Sequence, residues 1–308
     1  VWAAGLAAFF GFIGFYALLT PALWREPLAF FRYLVENALD FSRWKNYVRF
    51  RGQTYLLGKD RLPRIYLPYM IAATTPLWVL FLCAAGQLGA LKSWKKGIGR
   101  SDRALGLLLC TLLWLLPLGA AVAAGATVYN GWRHFYFLYG PMLVLAAYGL
   151  HGLYRLMAGK RLARRLLTVL LSLCMALTGV GIVTQHPYQY AYEQPLVRLL
   201  TGQDDLERDY WNVSVLNALE TLAGQTDGEI VIAPADLWAQ AGLENALYVM
   251  EPGLRERFSM AEEPDGAEYV LSNPTYTLFS GWEPSEEQEE AVVIRAYGRT
   301  LMRIDRHR

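Results

Sequence analysis

Residues 104–128 read ALGLLLCTLLWLLPLGAAVAAGATV, without a single charged side chain. At about 1.5 Å of rise per residue, a helix of this length covers the ~30 Å hydrocarbon core of a bilayer. A basic loop precedes it, carrying Lys92, Lys95, Lys96, Arg100 and Arg103. The polar turn Tyr129-Asn130-Gly131-Trp132-Arg133-His134 follows it. Further apolar runs lie at 1–20, 67–91, 135–156 and 166–184. The expected fold is therefore mainly α, a polytopic transmembrane helical bundle of about five helices within residues 1–184. The chain is 54% hydrophobic and only 18% charged, against about 25% charged in an ordinary soluble domain. The deficit is confined to these windows.

Orientation follows from the short basic loops. The loop at 92–103 and a second at 155–165, with Arg155, Lys160, Arg161, Arg164 and Arg165, are separated by two spans. Both are expected in the cytoplasm. Residues 21–66, the turn at 129–134 and everything after about 185 then lie on the other face of the cell membrane. The 21–66 segment is itself basic, but it is long, and the rule weakens for longer segments. Leu28, Phe31, Leu34, Val35 and Leu39 recur at helical spacing within it. They predict one or two amphipathic helices, lying in the membrane interface or packed on the protein. RGQTYLLGKDRLPR, residues 51–64, reads as a loop. Val1 begins in mid-helix without a Met or a charged leader, so the natural chain is expected to extend upstream.

After Gln185 the pattern changes. Asn217–Gly224 predicts a short helix, EIVIAPA (229–235) and AEYVLSN (267–273) predict strands, and AVVIRAYGRTLMRIDR (291–306) predicts a hairpin turning at Tyr297-Gly298. Together they give a small C-terminal α/β domain, 185–308, expected to be extracytoplasmic. The acidic run from Glu283 to Glu290 reads as a solvated loop or helix start. Asn212-Val213-Ser214 fits a glycosylation sequon, a pattern common by chance. Cys83, Cys110 and Cys174 all sit in apolar runs and form no metal-type spacing. No cofactor and no metal are expected, and a net charge of +2 gives no sign of a nucleic-acid partner. Gly-rich phosphate loops, G-x-S-x-G and H-E-x-x-H are absent from the sequence.

The turn at 129–134 is the most informative site candidate. It sets Arg133 and His134 beside Trp132 at the level of lipid phosphates, where a guanidinium binds phosphate bidentately. The plain alternative is an aromatic belt with an arginine reaching to the interface. Arg64 and Tyr66 lead into the next span on the same face. Thr74-Thr75-Pro76 lies deeper, where threonine hydroxyls can satisfy carbonyls freed by proline. His186 and Tyr190 leave the last span, where aromatics also anchor interfaces. Glu207-Arg208-Asp209-Tyr210-Trp211 forms either an ion-paired surface loop or one wall of a site. No Asp or Glu lies inside the predicted spans, so the sequence offers no catalytic carboxylate there.

WRHFYF after an aromatic-Asn-Gly, LPRIYLPYMIAATTPL, and HPYQYAY followed by ERDYW resemble bacterial members of the dolichyl-phosphate-mannose protein mannosyltransferase-like (family 39) glycosyltransferases. The resemblance covers about residues 20–215. It implies the membrane-embedded glycosyltransferase C fold and a polyprenyl-phosphate sugar lipid as donor. It also implies transfer to a protein, lipid or glycan acceptor outside the cytoplasm, usually with inversion. Arg133, His134, Arg64 and Tyr66 become donor-phosphate contacts, and Trp132, His186, Tyr190, Asp209, Tyr210 and Trp211 site walls. The general base is expected upstream of Val1. The sequence departs from the family at Asn130-Gly131, where relatives often have Asp-Gly, and at Tyr192-Glu193-Gln194-Pro195, where they often have aromatic-Asn-Pro. Two rival functions are a lipid-linked-sugar transporter, disfavoured by the lack of charged mid-membrane helices, and a membrane-anchored scaffold with a binding domain.

Overall fold

The computed structural model describes residues 2–39, 47–95, 97, 101–126, 128, 130–203 and 205–308. The structure is mostly helical, with a small sheet region at the C-terminus. Among the described residues, four helical stretches are long and apolar enough to cross a membrane: Leu77–Trp94, Asp102–Ala124, Arg133–Leu156 and Arg161–Thr184. The fifth expected span is shorter, an apolar helix over Ala3–Leu19.

In chain order, α1 (Trp2–Leu19), α2 (Pro21–Arg25) and α3 (Pro27–Leu39) come first. A hairpin of β1 (Tyr47–Phe50) and β2 (Gln53–Leu56) follows. The hairpin corrects two readings, the end of the amphipathic stretch at 47–50 as helix and the start of the 51–64 segment as loop. Its turn is Arg51-Gly52, both left-handed with φ of 51° and 74°, the geometry of a tight two-residue hairpin. Arg51 gave no turn signal, because the usual Asn or Asp is missing there. Val48, Phe50 and Leu57 are buried, and the Phe50 ring packs edge-on against Tyr66 and Tyr69.

The expected span at 67–91 is two helices, α4 (Tyr66–Thr74) and α5 (Leu77–Trp94). Pro76 has no N–H, so the ladder fails and the carbonyls of Ala72 and Ala73 lose their helical partners. Gln194 supplies replacements, its side-chain amide donating to Ala72 O at 2.7 Å and its backbone N–H to Ala73 O at 2.8 Å. The expectation that the threonines would do this is corrected. Thr74 Oγ1 donates to Met70 O instead, and Thr75 Oγ1 is buried without a partner.

α6 (Asp102–Ala124) starts at Ser101, whose hydroxyl accepts the Ala104 N–H at 3.1 Å, and stops at left-handed Gly125. A 3₁₀ segment, Arg133–Leu138, leads into α7 (Tyr139–Leu156), and α8 (Arg161–Thr184) follows. α5 and α7 cross closely. A Cβ on Gly86 would stand 1.8 Å from the Leu145 carbonyl oxygen, and one on Gly149 would stand 2.1 Å from that of Leu82. The seam admits no side chain at either position. α8 buries none of its residues, and α1 exposes Phe9, Phe10, Phe12 and Phe15. Helices that are apolar all round and uncovered by protein suit an apolar surrounding.

The C-terminal part holds α9 (Pro195–Leu200), α10 (Ser214–Gln225), β3 (Ile230–Pro234), α11 (Leu237–Val249), α12 (Pro252–Arg255), β4 (Phe258–Met260), β5 (Tyr269–Ser272), α13 (Pro274–Ser280), β6 (Gln288–Ala296) and β7 (Arg299–His307). The sheet order is β4-β3-β5-β7-β6, with β4, β3 and β5 parallel and β7 antiparallel to both its neighbours. Ile230 and Ile232, two apart, point to one face and join Leu219, Leu222 and Leu243 of the covering helices in one core. The β6–β7 turn falls at Tyr297-Gly298, both left-handed. The acidic run is loop over 283–287, as read from the sequence, and strand only from Gln288 onward.

Candidate functional site

Asn130 and Gly131 are consecutive left-handed residues, with φ of 49° and 77°. Asparagine and glycine are the residues that tolerate this, and the pair reverses the chain between α6 and the 3₁₀ segment. Tyr129, the first residue of the predicted turn, lies outside the described residues, as do Lys96 and Arg100 of the basic loop. The reversal is held from below by α4. The Gly131 N–H donates to Tyr66 Oη at 3.0 Å, and the Trp132 indole N–H donates to Thr74 Oγ1 at 2.7 Å. Trp132 is buried.

Arg133 is held on the outer side. Its guanidinium lies 5.5 Å from the Tyr210 ring centre and 5.2 Å from that of Trp211. Nη2 reaches Asn130 Oδ1 at 3.4 Å. A guanidinium is a planar cation that lies over aromatic faces and has the fork geometry that suits oxyanions.

Glu207 joins three distant parts of the chain. Its Oε1 accepts the Arg49 backbone N–H at 3.0 Å, and its Oε2 accepts from Asn130 Nδ2 at 2.8 Å. The neighbouring Leu206 bridges Phe50, so this strand-like segment runs beside the β1–β2 hairpin. Glu207 retains a little accessible surface, while protein packs around its carboxylate. Burial pushes its pKa up to about 7, against the pull of Asn130, the Arg49 N–H and the Arg133 charge. No local signal in LERDYW singles Glu207 out, because Arg49 lies 158 residues away in sequence.

Glu207, Asn130, Trp132, Tyr136, Tyr190 and Tyr210 line a small polar pocket of about 50 Å³. Burial raises Tyr210 to about 12. Burial also raises Tyr190, reinforced by the Asp209 carboxylate. Both phenols are therefore neutral donors at neutral pH. Thr74 and Tyr192 line this pocket and also an apolar groove of about 860 Å³ between α5 and α8. Phe81, Leu170 and Leu177 line the groove along the helices, and Gln189, Arg198 and Tyr297 close its polar end.

Six of the sequence-derived candidates, Arg133, Tyr66, Trp132, Tyr190, Tyr210 and Trp211, gather around the turn and this pocket. The others stand apart or serve the scaffold. Arg64 is exposed and lines a separate cleft with Leu67 and Ala121. His134 is exposed. His186 is exposed too, and its Nδ1 meets Gln189 Nε2 at 2.9 Å.

Asp209 is fully buried, and its carboxylate accepts from Tyr190 Oη, from the Val213 N–H at 2.9 Å, and from the Ser214 N–H at 3.1 Å and hydroxyl. A carboxylate so occupied anchors the start of α10 and leaves little for a ligand. Arg208 is buried and pairs with Glu193 at 3.0 Å. Glu193, Gln194 and Pro195, where the sequence departs from the resemblance, thus hold an ion pair, the α4–α5 break and the start of α9. The Asn212 amide of the sequon is engaged, donating to Trp238 O and accepting from Asn273.

Comparison with protein-family models, curated proteins and solved structures gives no match. Fold and site together define a helical chain with four helices of membrane-crossing length and a polar pocket beside an apolar groove.

Proposed function

We propose that this chain is a membrane glycosyltransferase that takes its sugar from a polyprenyl-phosphate donor. The observation that carries this reading is that Thr74 and Tyr192 line both the apolar groove and the polar pocket. An amphiphile with a long hydrocarbon tail and a phosphorylated head suits both halves. The tail lies along α5 and α8, between Phe81 and Leu170. The head reaches the aromatic rim where Arg133 stacks on Tyr210 and Trp211. Breaking the sugar–phosphate bond builds negative charge on the leaving phosphate, and a fixed cation lowers that barrier. In this reading the polar pocket and the C-terminal α/β domain face away from the cytoplasm, a choice supported by the short basic loops at 92–103 and 155–165.

The test is Arg133→Ala in the full-length protein, with binding of polyprenyl phosphate followed by tryptophan fluorescence and sugar transfer by a radiolabelled donor. Loss of a charge-assisted phosphate contact weakens binding about tenfold or more. Unchanged binding and transfer would overturn the role of Arg133. Wild-type protein that binds no polyprenyl phosphate would overturn the function.

A further inference from the structure

We infer that α9, Pro195–Leu200, lies in the membrane interface beside the end of α8, with Leu196, Leu199 and Leu200 seated among lipid acyl chains. The inference goes beyond the donor reading and does not depend on it. It rests on α8 as a membrane span.

The sequence makes this helix two-sided. PLVRLL sets Leu196, Leu199 and Leu200 three and four residues apart, so they share one face, and Arg198 falls opposite. Leu199 and Leu200 keep 83% and 77% of their surface, as much as Val183 at 76% on the last turn of α8. Leu196 is exposed with them, while Val197 and Arg198 are half-buried. The outward face of α9 is thus as bare as the α8 surface beside it, and residues 185–194 connect the two helices.

A helix this short has little stability of its own in water. Pro195 opens its first turn, and the C-terminal domain holds its inward face. Arg198 Nη1 donates to Tyr297 O at 2.8 Å, in the β6–β7 turn. Arg299 Nη2 donates to Arg198 O at 2.8 Å and to Thr201 O at 2.5 Å. Carbonyls left over at the helix C-terminus thereby gain a cationic donor. These bonds fix the helix about its axis, so the leucines stay turned away from the protein. In water, three neighbouring exposed leucines are unfavourable. Acyl chains continuous with those around α8 remove that cost. Arg198, the one charged side chain of α9, faces inward, so the contact is apolar and indifferent to headgroup charge. Seating α9 fixes the height of the β6–β7 turn, and Tyr297 in that turn lines the polar end of the apolar groove. The bilayer thereby positions the C-terminal domain over the groove.

The experiment uses the full-length protein in proteoliposomes. Leu199, Val169 or Glu244 is replaced in turn by the photocrosslinker p-benzoylphenylalanine, and mass spectrometry identifies what is captured. Val169 is exposed on α8 and reports the span, and Glu244 is exposed on α11 and reports water. Lipid adducts are expected at 199 and 169. Their yield should exceed that at 244 about tenfold or more, the factor by which moving even one leucine out of water favours the seated state. Phosphatidylcholine vesicles and vesicles containing phosphatidylglycerol should give equal yields at 199. Lipid capture at 169 without lipid capture at 199 overturns the inference and leaves the span of α8 standing. Capture of a second copy of the chain at 199 overturns it as well, and so does lipid capture there that requires phosphatidylglycerol. Failure to capture lipid at either 169 or 199 overturns both the inference and the span.

Discussion

Burial holds the Glu207 carboxyl at about 7 in the folded chain, against an ordinary 4.5. Between those two pH values the folded protein keeps a proton that the unfolded chain has released. The stabilising contribution is therefore complete below about 4.5 and is lost as pH rises through about 7. Glu207→Gln never has to bury a charge, so its melting temperature should gain on wild type between pH 5 and pH 8. The expected gain corresponds to roughly 1–3 kcal/mol. Parallel melting curves across that range would show that the carboxylate is not held against its burial. The neighbouring acidic residues have different partners. Asp209 is surrounded by four donors and Glu193 faces Arg208 and Arg299, whereas Glu207 has two neutral donors. The sequence writes the three carboxylates alike, and only the chain's long-range contacts separate them.

Helices meet where glycine permits. At the α5–α7 crossing a single added methyl on Gly86 would fall 1.8 Å from a carbonyl oxygen of the facing backbone. Backbone cannot rotate away as a side chain tip can. Gly86→Ala should therefore push the helices apart and cost about 2–4 kcal/mol, within the range for overpacked or strained cores. Gly106→Ala makes a matched control, since nothing lies within 4 Å of its added Cβ. Thermal unfolding in detergent checks both, and equal losses would remove the special role of the crossing. The apolar periodicity of the long helices was legible, because charge-free windows have few alternatives. The Tyr297-Gly298 hairpin was legible from its turn chemistry and its flanking apolar runs. The β1–β2 hairpin was not, because Arg51 occupies a turn position that normally carries a small polar residue. Nor was the break after α4, because Pro76 can also sit inside a kinked helix, and the satisfying group arrives from Gln194.

Taken whole, the molecule has two buried cores, one around α4–α7 with the hairpin and one in the C-terminal sheet. Arg133, Glu207 and Tyr210 lie where the segments joining them converge. Our orientation puts the second core outside the cytoplasm. Glu286, which is exposed beside β6, supplies a handle. Glu286→Cys should react with a membrane-impermeant maleimide in intact cells, and labelling only after lysis would invert the topology. Of the site, sequence order gave the aromatic and cationic rim, because Trp132-Arg133 and Tyr210-Trp211 are adjacent pairs. It did not tell Glu207 from Asp209 within the segment 207–211, because the partners that separate them, Arg49 and Asn130, are distant in the chain.

The clip that Gln194 places on Ala72 and Ala73 also has a meaning in time. The amide that satisfies those carbonyls is added 122 residues later, roughly 6–24 s at ordinary synthesis rates of about 5–20 residues per second. Until then the two carbonyls must find partners elsewhere, and α8 and the start of the outer domain must be in place before the break can close. The bend after α4 is thus sealed by a segment made well after it. A nascent protein halted after α8 would carry an open seam after α4.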